Sequence, residues 1–105
     1  RDHNAPKITR TRIYGENGDK ILHLEINVNR NRYEGEMEYA LAAMANVCQY
    51  AQRPFDKFVL IMETDSRQLE TEKIVAKAKC TIDHYVFKRV KYDRWLKKCL
   101  SVTEL

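Results

Sequence analysis

Between Lys20 and Asp65 the spacing of apolar residues takes successive forms, and each form predicts an element. Leu22, Leu24, Ile26 and Val28 alternate with His23, Glu25 and Asn27, which is the period of a strand with one buried face. Met37, Leu41, Met44, Cys48 and Ala51 recur at helical spacing. Phe58 to Met62 is apolar at every position, as expected of a central strand covered on at least one side. Strand, helix, buried strand is therefore the predicted heart of the fold.

The flanking segments extend this order. Lys7 to Tyr14 is rich in β-branched residues (Ile8, Thr9, Thr11, Ile13) but has a weak apolar face, so it predicts an edge or half-exposed strand. The turn cluster Gly15-Glu16-Asn17-Gly18-Asp19 joins it as a hairpin to a strand over Lys20 to Asn29, while residues 1–6 are polar and expected to fray. The helix is expected from about Gly35 to Gln52. Glu34, Glu36 and Glu38 suit the positive end of its dipole, and Arg53-Pro54 stops it. Asp56 to Thr64 is the buried strand. Ser66 to Glu72 reads as a loop or one helical turn. Ile74, Ala76, Ala78, Cys80 and Ile82 then alternate with Lys77, Lys79, Thr81 and Asp83, which predicts a strand over Lys73 to Asp83. His84 to Val90 either continues that strand or forms another short one. Trp95, Leu96, Cys99 and Leu100 predict a short amphipathic helix over Tyr92 to Leu100. The predicted class is α+β in the order β-β-α-β-β-α. A mainly antiparallel sheet of about four strands carries one long helix on one face, with a short helix at the C-terminal end. Whether the strand–helix–strand unit returns parallel or antiparallel is open at this level.

Composition narrows the class. A chain of 105 residues is a single domain, 1–105, and 44% apolar content is ordinary for a globular protein. Three glycines and two prolines exclude low-complexity and collagen-like readings. The net charge of +4 permits an acidic partner without demanding one. No apolar run approaches the roughly 20 residues that span a bilayer, and none reads as a signal peptide. The chain begins at Arg1 rather than Met, so the expectation is that a signal or tether, a larger region or a tag once preceded it. Cys48, Cys80 and Cys99 have no Cys-x-x-Cys spacing. They read as small buried hydrophobes. The alternative is one disulfide and a leftover thiol, which implies an oxidising compartment.

Leu22-His23-Leu24-Glu25-Ile26-Asn27-Val28, the alanine-rich helix, Pro54-Phe55-Asp56-Lys57-Phe58-Val59-Leu60-Ile61 and Ile74-Val75-Ala76-Lys77-Ala78-Lys79-Cys80 together resemble small uncharacterised bacterial domains whose fold is like the C-terminal domains of TolA and TonB. The resemblance covers about two thirds of the chain and includes no catalytic residue. It implies a periplasmic or cell-envelope binding domain, with the cytoplasm as the alternative. The start of the chain carries no lipid-attachment cysteine.

Candidate chemistry is sparse. His3, His23 and His84 have no metal-ligand spacing, and no cofactor motif is present. Glu63 and Asp65 close the buried strand. With Glu25 and a lysine such as Lys77 or Lys79 they make up the fold-assembled acidic cluster that a metal-dependent hydrolase reading needs, although alternation puts Glu25 on the face away from the helix. Cys48 and Cys80 fall on predicted core faces, where a thiol is inert. The segment His84 to Lys98 interleaves Lys88, Arg89, Lys91, Arg94, Lys97 and Lys98 with Tyr85, Phe87, Tyr92 and Trp95. Cations beside aromatics suit single-stranded nucleic acid, with Lys88, Arg89, Lys91, Arg94 and Trp95 as the candidate binding residues. The bland alternative is a solvated face whose aromatics belong to the core. The expected function is a non-enzymatic binding or interaction domain that pairs another protein along the exposed Lys7–Tyr14 edge. A nucleic-acid-binding module is the second reading and the hydrolase the third. Oligomeric state is not legible.

Overall fold

The computed structural model of the protein describes residues 6–28, 33–64 and 71–104. Among these the order is β1 (Lys7–Glu16), β2 (Asp19–Val28), α1 (Tyr33–Cys48), β3 (Lys57–Thr64), β4 (Thr71–Lys77), α2 (Ala78–Tyr85), α3 (Tyr92–Cys99) and β5 (Leu100–Glu104). The strands form one sheet in the spatial order β1-β2-β3-β4-β5. Asn17 and Gly18, with φ of 53° and 86°, make the two-residue turn between β1 and β2 that the right-handed twist of a hairpin favours. The chain crosses through α1 so that β3 runs parallel to β2, while β1/β2, β3/β4 and β4/β5 pair antiparallel.

β3 is the middle strand, and that explains its unbroken apolar run. Phe58, Leu60 and Met62 face the helices, and Val59 is also buried on the opposite face. Against them α1 buries Met37, Ala40, Leu41, Met44, Ala45 and Cys48, while β2 contributes Leu22, Leu24, Ile26 and Val28. Asp56 anchors the return from α1. Its N–H donates to Lys20 O at 2.8 Å, and its Oδ2 accepts from Lys20 N at 2.8 Å.

The α+β class agrees with the sequence reading, but the order is β-β-α-β-β-α-α-β and the sheet has five strands. The helix expected over 35–52 runs from Tyr33 to Cys48 instead. The strand predicted over Lys73 to Asp83 ends at Lys77, where the chain turns into α2. The reason is the length of its neighbour. Lys77 lies opposite Lys57, the first residue of β3, so a longer β4 has no ladder to join. Ala78 N–H still reaches Asp56 O, at 3.0 Å, and the next residues become helical. Ala78, Thr81, Ile82 and Tyr85 satisfy helical spacing, and Ala78 and Ile82 also fit the alternation that suggested a strand. His84 to Val90 is accordingly the end of α2 and a connection, in which Lys88 takes φ 58° and Arg89 N–H donates to Asp83 O at 2.8 Å. β5 was not anticipated. Five residues with two apolar side chains carry too little periodicity to show a strand.

Candidate functional site

Among the described residues β1 has a hydrogen-bonded neighbour on one side only. Residues opposite each other in an antiparallel pair share a face. Arg10, Arg12 and Tyr14 thus stand with Glu25, His23 and Ile21 on the helix-free face, and Thr11 and Ile13 stand with Leu24 and Leu22 on the helix side. Helix α1 packs over β2 and β3. The helix-side residues of β1 consequently stay in water, with Ile8 58% and Ile13 63% exposed. A bulge between Ile8 and Arg10 leaves Arg10 to Glu16 in regular register, and Thr9 Oγ1 there donates to Glu25 O at 3.1 Å. This edge is the one the sequence predicts for partner pairing.

On the helix-free face His23 Nε2 lies 2.8 Å from Glu25 Oε2, and its Nδ1 lies 3.4 Å from the Tyr14 hydroxyl. A carboxylate only accepts, so Nε2 carries a proton and donates it to Glu25. The Arg12 guanidinium stacks 5.0 Å from the centre of the Tyr14 ring. The nearby cavity of about 320 Å³ is lined by Tyr14, Asp19, Lys20 and Arg53, and neither His23 nor Glu25 lines it. The register makes Glu25 and Glu63 diagonal neighbours on this face. Lys77 stands at the opposite end beside Lys57, Lys79 belongs to α2, and Asp65 lies outside the described residues. Among the described residues no group of three His, Cys, Asp or Glu side chains can hold a metal ion.

The basic, aromatic segment divides. Trp95 is fully buried, so it offers no platform for a base, contrary to the role the sequence suggests for it. Its indole Nε1–H donates to Thr81 Oγ1 at 3.0 Å, and Thr81 Oγ1 donates in turn to Lys77 O at 2.8 Å. The indole stacks on His84 at 5.1 Å and meets Tyr85 edge-on at 5.2 Å. His84 Nδ1 is 2.7 Å from Val90 O. An indole inside a polar sequence is drawn inward because burying so large an apolar surface outweighs the pull of its lysine neighbours, provided its N–H finds an acceptor. Tyr85 also lies inward. Burial first, then the charges of Glu38 and Tyr92, raise its hydroxyl above the usual tyrosine range.

Lys88, Arg89, Lys91 and Arg94 are exposed. Arg89 sits 3.9 Å from Asp83 and 4.8 Å from the Phe87 ring centre. Of these, Arg94 faces a cavity. With Lys77, Lys79, Asp83, Val90 and Lys98 it lines a cleft of about 630 Å³, and Cys80 and Cys99 line it too. Lys77 and Lys79 were missed as partners of Arg94, because 15 or more residues of chain separate them and only α3 folding back beside α2 unites them.

Cys80 and Cys99 form a disulfide that ties α2 to α3, and Cys48 is a free, buried thiol. Desolvation raises the Cys48 thiol above its usual range, with Lys20 opposing. Of the two cysteine readings left open by the sequence, the structure has one bridge and one inert thiol. No helix among the described residues is long and apolar enough to cross a membrane. Comparison with family models, with curated proteins and with solved structures gave no match to this chain.

Proposed function

We propose that the protein is a non-enzymatic binding domain that takes up an extended, acidic segment of a partner protein along the outer edge of β1. One observation carries this reading: among the described residues a ten-residue strand is paired on one side only and is exposed along almost its whole length. Main-chain groups on such an edge hydrogen-bond any extended segment, and side chains choose which one. Lys7, Arg10 and Arg12 share the helix-free face, and Ile8, Thr11 and Ile13 share the other. A strand that alternates acidic and small apolar residues matches both. A second copy of β1 centred on Arg12 would set like charges opposite each other, which disfavours self-pairing.

The Cys80–Cys99 disulfide supports an oxidising compartment, such as the bacterial cell envelope. Titrating the thiols of unfolded, unreduced protein tests that location: one free thiol agrees with it, and three oppose it.

Binding is tested by fluorescence anisotropy with a labelled peptide of alternating Glu and Val. Successive amides of a strand point to opposite sides, so Thr11→Pro and Arg12→Pro differ in which edge they disrupt. The variant that keeps its melting temperature has lost only an outward N–H, and it should lose the peptide. Undiminished binding by that variant removes the edge-pairing reading.

A further inference from the structure

A second surface stands apart from β1 and does not depend on the reading given to it. It is the cleft where β4 passes into α2 and α3 lies alongside. Lys77 ends β4, Lys79 lies in the first turn of α2, and Arg94 and Lys98 lie one helical turn apart on α3. All four are exposed, and none has an ion-pair partner among the described residues. Among the described residues the only carboxylate in the lining is Asp83, and Arg89 lies 3.9 Å from it. Four cations against one partly engaged acid around one concavity repel each other, and a bound anion relieves that repulsion.

The arrangement is also held in place. The Cys80–Cys99 bridge lies in the wall of the cleft and ties the turn that carries Lys79 to the end of the helix that carries Lys98. Trp95, fully buried and next to Arg94, fixes the same helix to Thr81 of α2. The helix positions that carry Lys79, Arg94 and Lys98 are therefore fixed before any ligand arrives, which lowers the ordering cost of binding. The cavity of about 630 Å³ falls within the range of small-molecule sites. Among the described residues Val90 and the bridged cysteines are its only apolar lining, and no aromatic side chain lines it. A nucleobase finds nothing to stack on, whereas phosphate oxygens find an Arg fork and three ammonium groups.

We infer that this cleft binds a compact polyanion carrying two or more phosphate groups. The phosphates come either from a soluble molecule or from a lipid headgroup.

The test is isothermal titration of the oxidised full chain, at fixed ionic strength, with inorganic tripolyphosphate and with orthophosphate. Tripolyphosphate should bind at least about tenfold more tightly than orthophosphate. Arg94→Ala and Lys79→Ala should each weaken it about fivefold or more, while Arg10→Ala, on the far edge of the sheet, leaves it unchanged. Because Arg94 and Lys79 are exposed, unchanged melting temperatures will show that the variants are folded. Co-sedimentation with phosphatidylcholine vesicles, with and without cardiolipin, whose headgroup carries two phosphates, separates the sources. Capture that depends on cardiolipin and is lost in Arg94→Ala assigns the lipid headgroup. Tripolyphosphate binding without such capture assigns a soluble ligand. Equal affinity for orthophosphate, or equal losses in Arg10→Ala and Arg94→Ala, means diffuse attraction and overturns the inference. So does a single-stranded oligonucleotide that binds more tightly than tripolyphosphate and is weakened by Lys88→Ala but not by Lys79→Ala.

Discussion

The two edges of this sheet are held in opposite ways. β1 is ten residues long, yet its attachment is a two-residue turn and one ladder, and its side chains add little to the core. β5 is five residues long and follows directly from α3, whose Trp95 and Cys99 are buried and whose Cys99 is bridged to Cys80. Length is thus no guide to anchoring. The short edge is fixed by what precedes it, and the long edge is left as a surface. A strand that the core does not need is free to serve a partner, whereas the anchored end can hold charged groups in a fixed arrangement.

Substitutions at the two ends should differ accordingly. Trp95→Ala removes a fully buried indole and one of the two hydrogen bonds of the Thr81 hydroxyl, so a loss of about 3–5 kcal/mol is expected in urea denaturation. Ile13→Ala on β1, 63% exposed, should change stability by less than about 0.5 kcal/mol in the same assay. Equal losses at the two positions would erase the contrast. Replacing both Cys80 and Cys99 by Ala opens a loop whose ends are 19 residues apart, with an expected cost of about 3 kcal/mol. Reductant should lower the wild-type midpoint toward that of the variant and leave the variant unmoved. Thr81→Val keeps the volume but strips Trp95 Nε1 of its acceptor inside the core, with an expected cost of about 1–3 kcal/mol.

No loss is expected at Tyr85, whose buried hydroxyl has no hydrogen-bond partner among the described residues. Tyr85→Phe should therefore leave stability near neutral pH unchanged, or raise it by up to about 1 kcal/mol. The pH dependence has a definite sign. Burial raises the folded-state pKa above the ordinary value of 10.0, so the folded chain keeps this proton while the unfolded chain has begun to lose it. The contribution is complete below the unfolded value and declines as pH rises past it. Denaturation midpoints between about pH 9 and 11 should fall less steeply in Tyr85→Phe than in wild type. Equal slopes would show that Tyr85 does not set the alkaline limit.

Much of this was legible in local spacing. The alternation from Leu22 to Val28, the helical run from Met37 to Cys48 and the continuous apolar stretch of β3 each mark burial directly, because each period maps onto one face of one element. The weak apolar face of Lys7 to Tyr14 likewise announced an edge. Where two periods fitted, spacing misled. Ile74, Ala76 and Ala78 continue as an alternation into α2, and only the start of β3 at Lys57 determines where β4 must stop. Trp95 shows the same limit for function: among lysines it looks like a binding aromatic, yet Thr81 and His84, from another helix, draw it into the core.

The chain by itself determined which segments bury a face, and hence the α+β class, the central strand and the free edge. Burial of neighbours on one element is a local property, written in the order of residues. Tertiary structure decided the parallel crossover, the fifth strand, the pairing of Cys80 with Cys99, and the meeting of Lys77 and Lys79 with Arg94 and Lys98. These depend on register and on how helices fold back over long separations, and exposed charges, which packing scarcely constrains, leave no periodic trace of where they will converge.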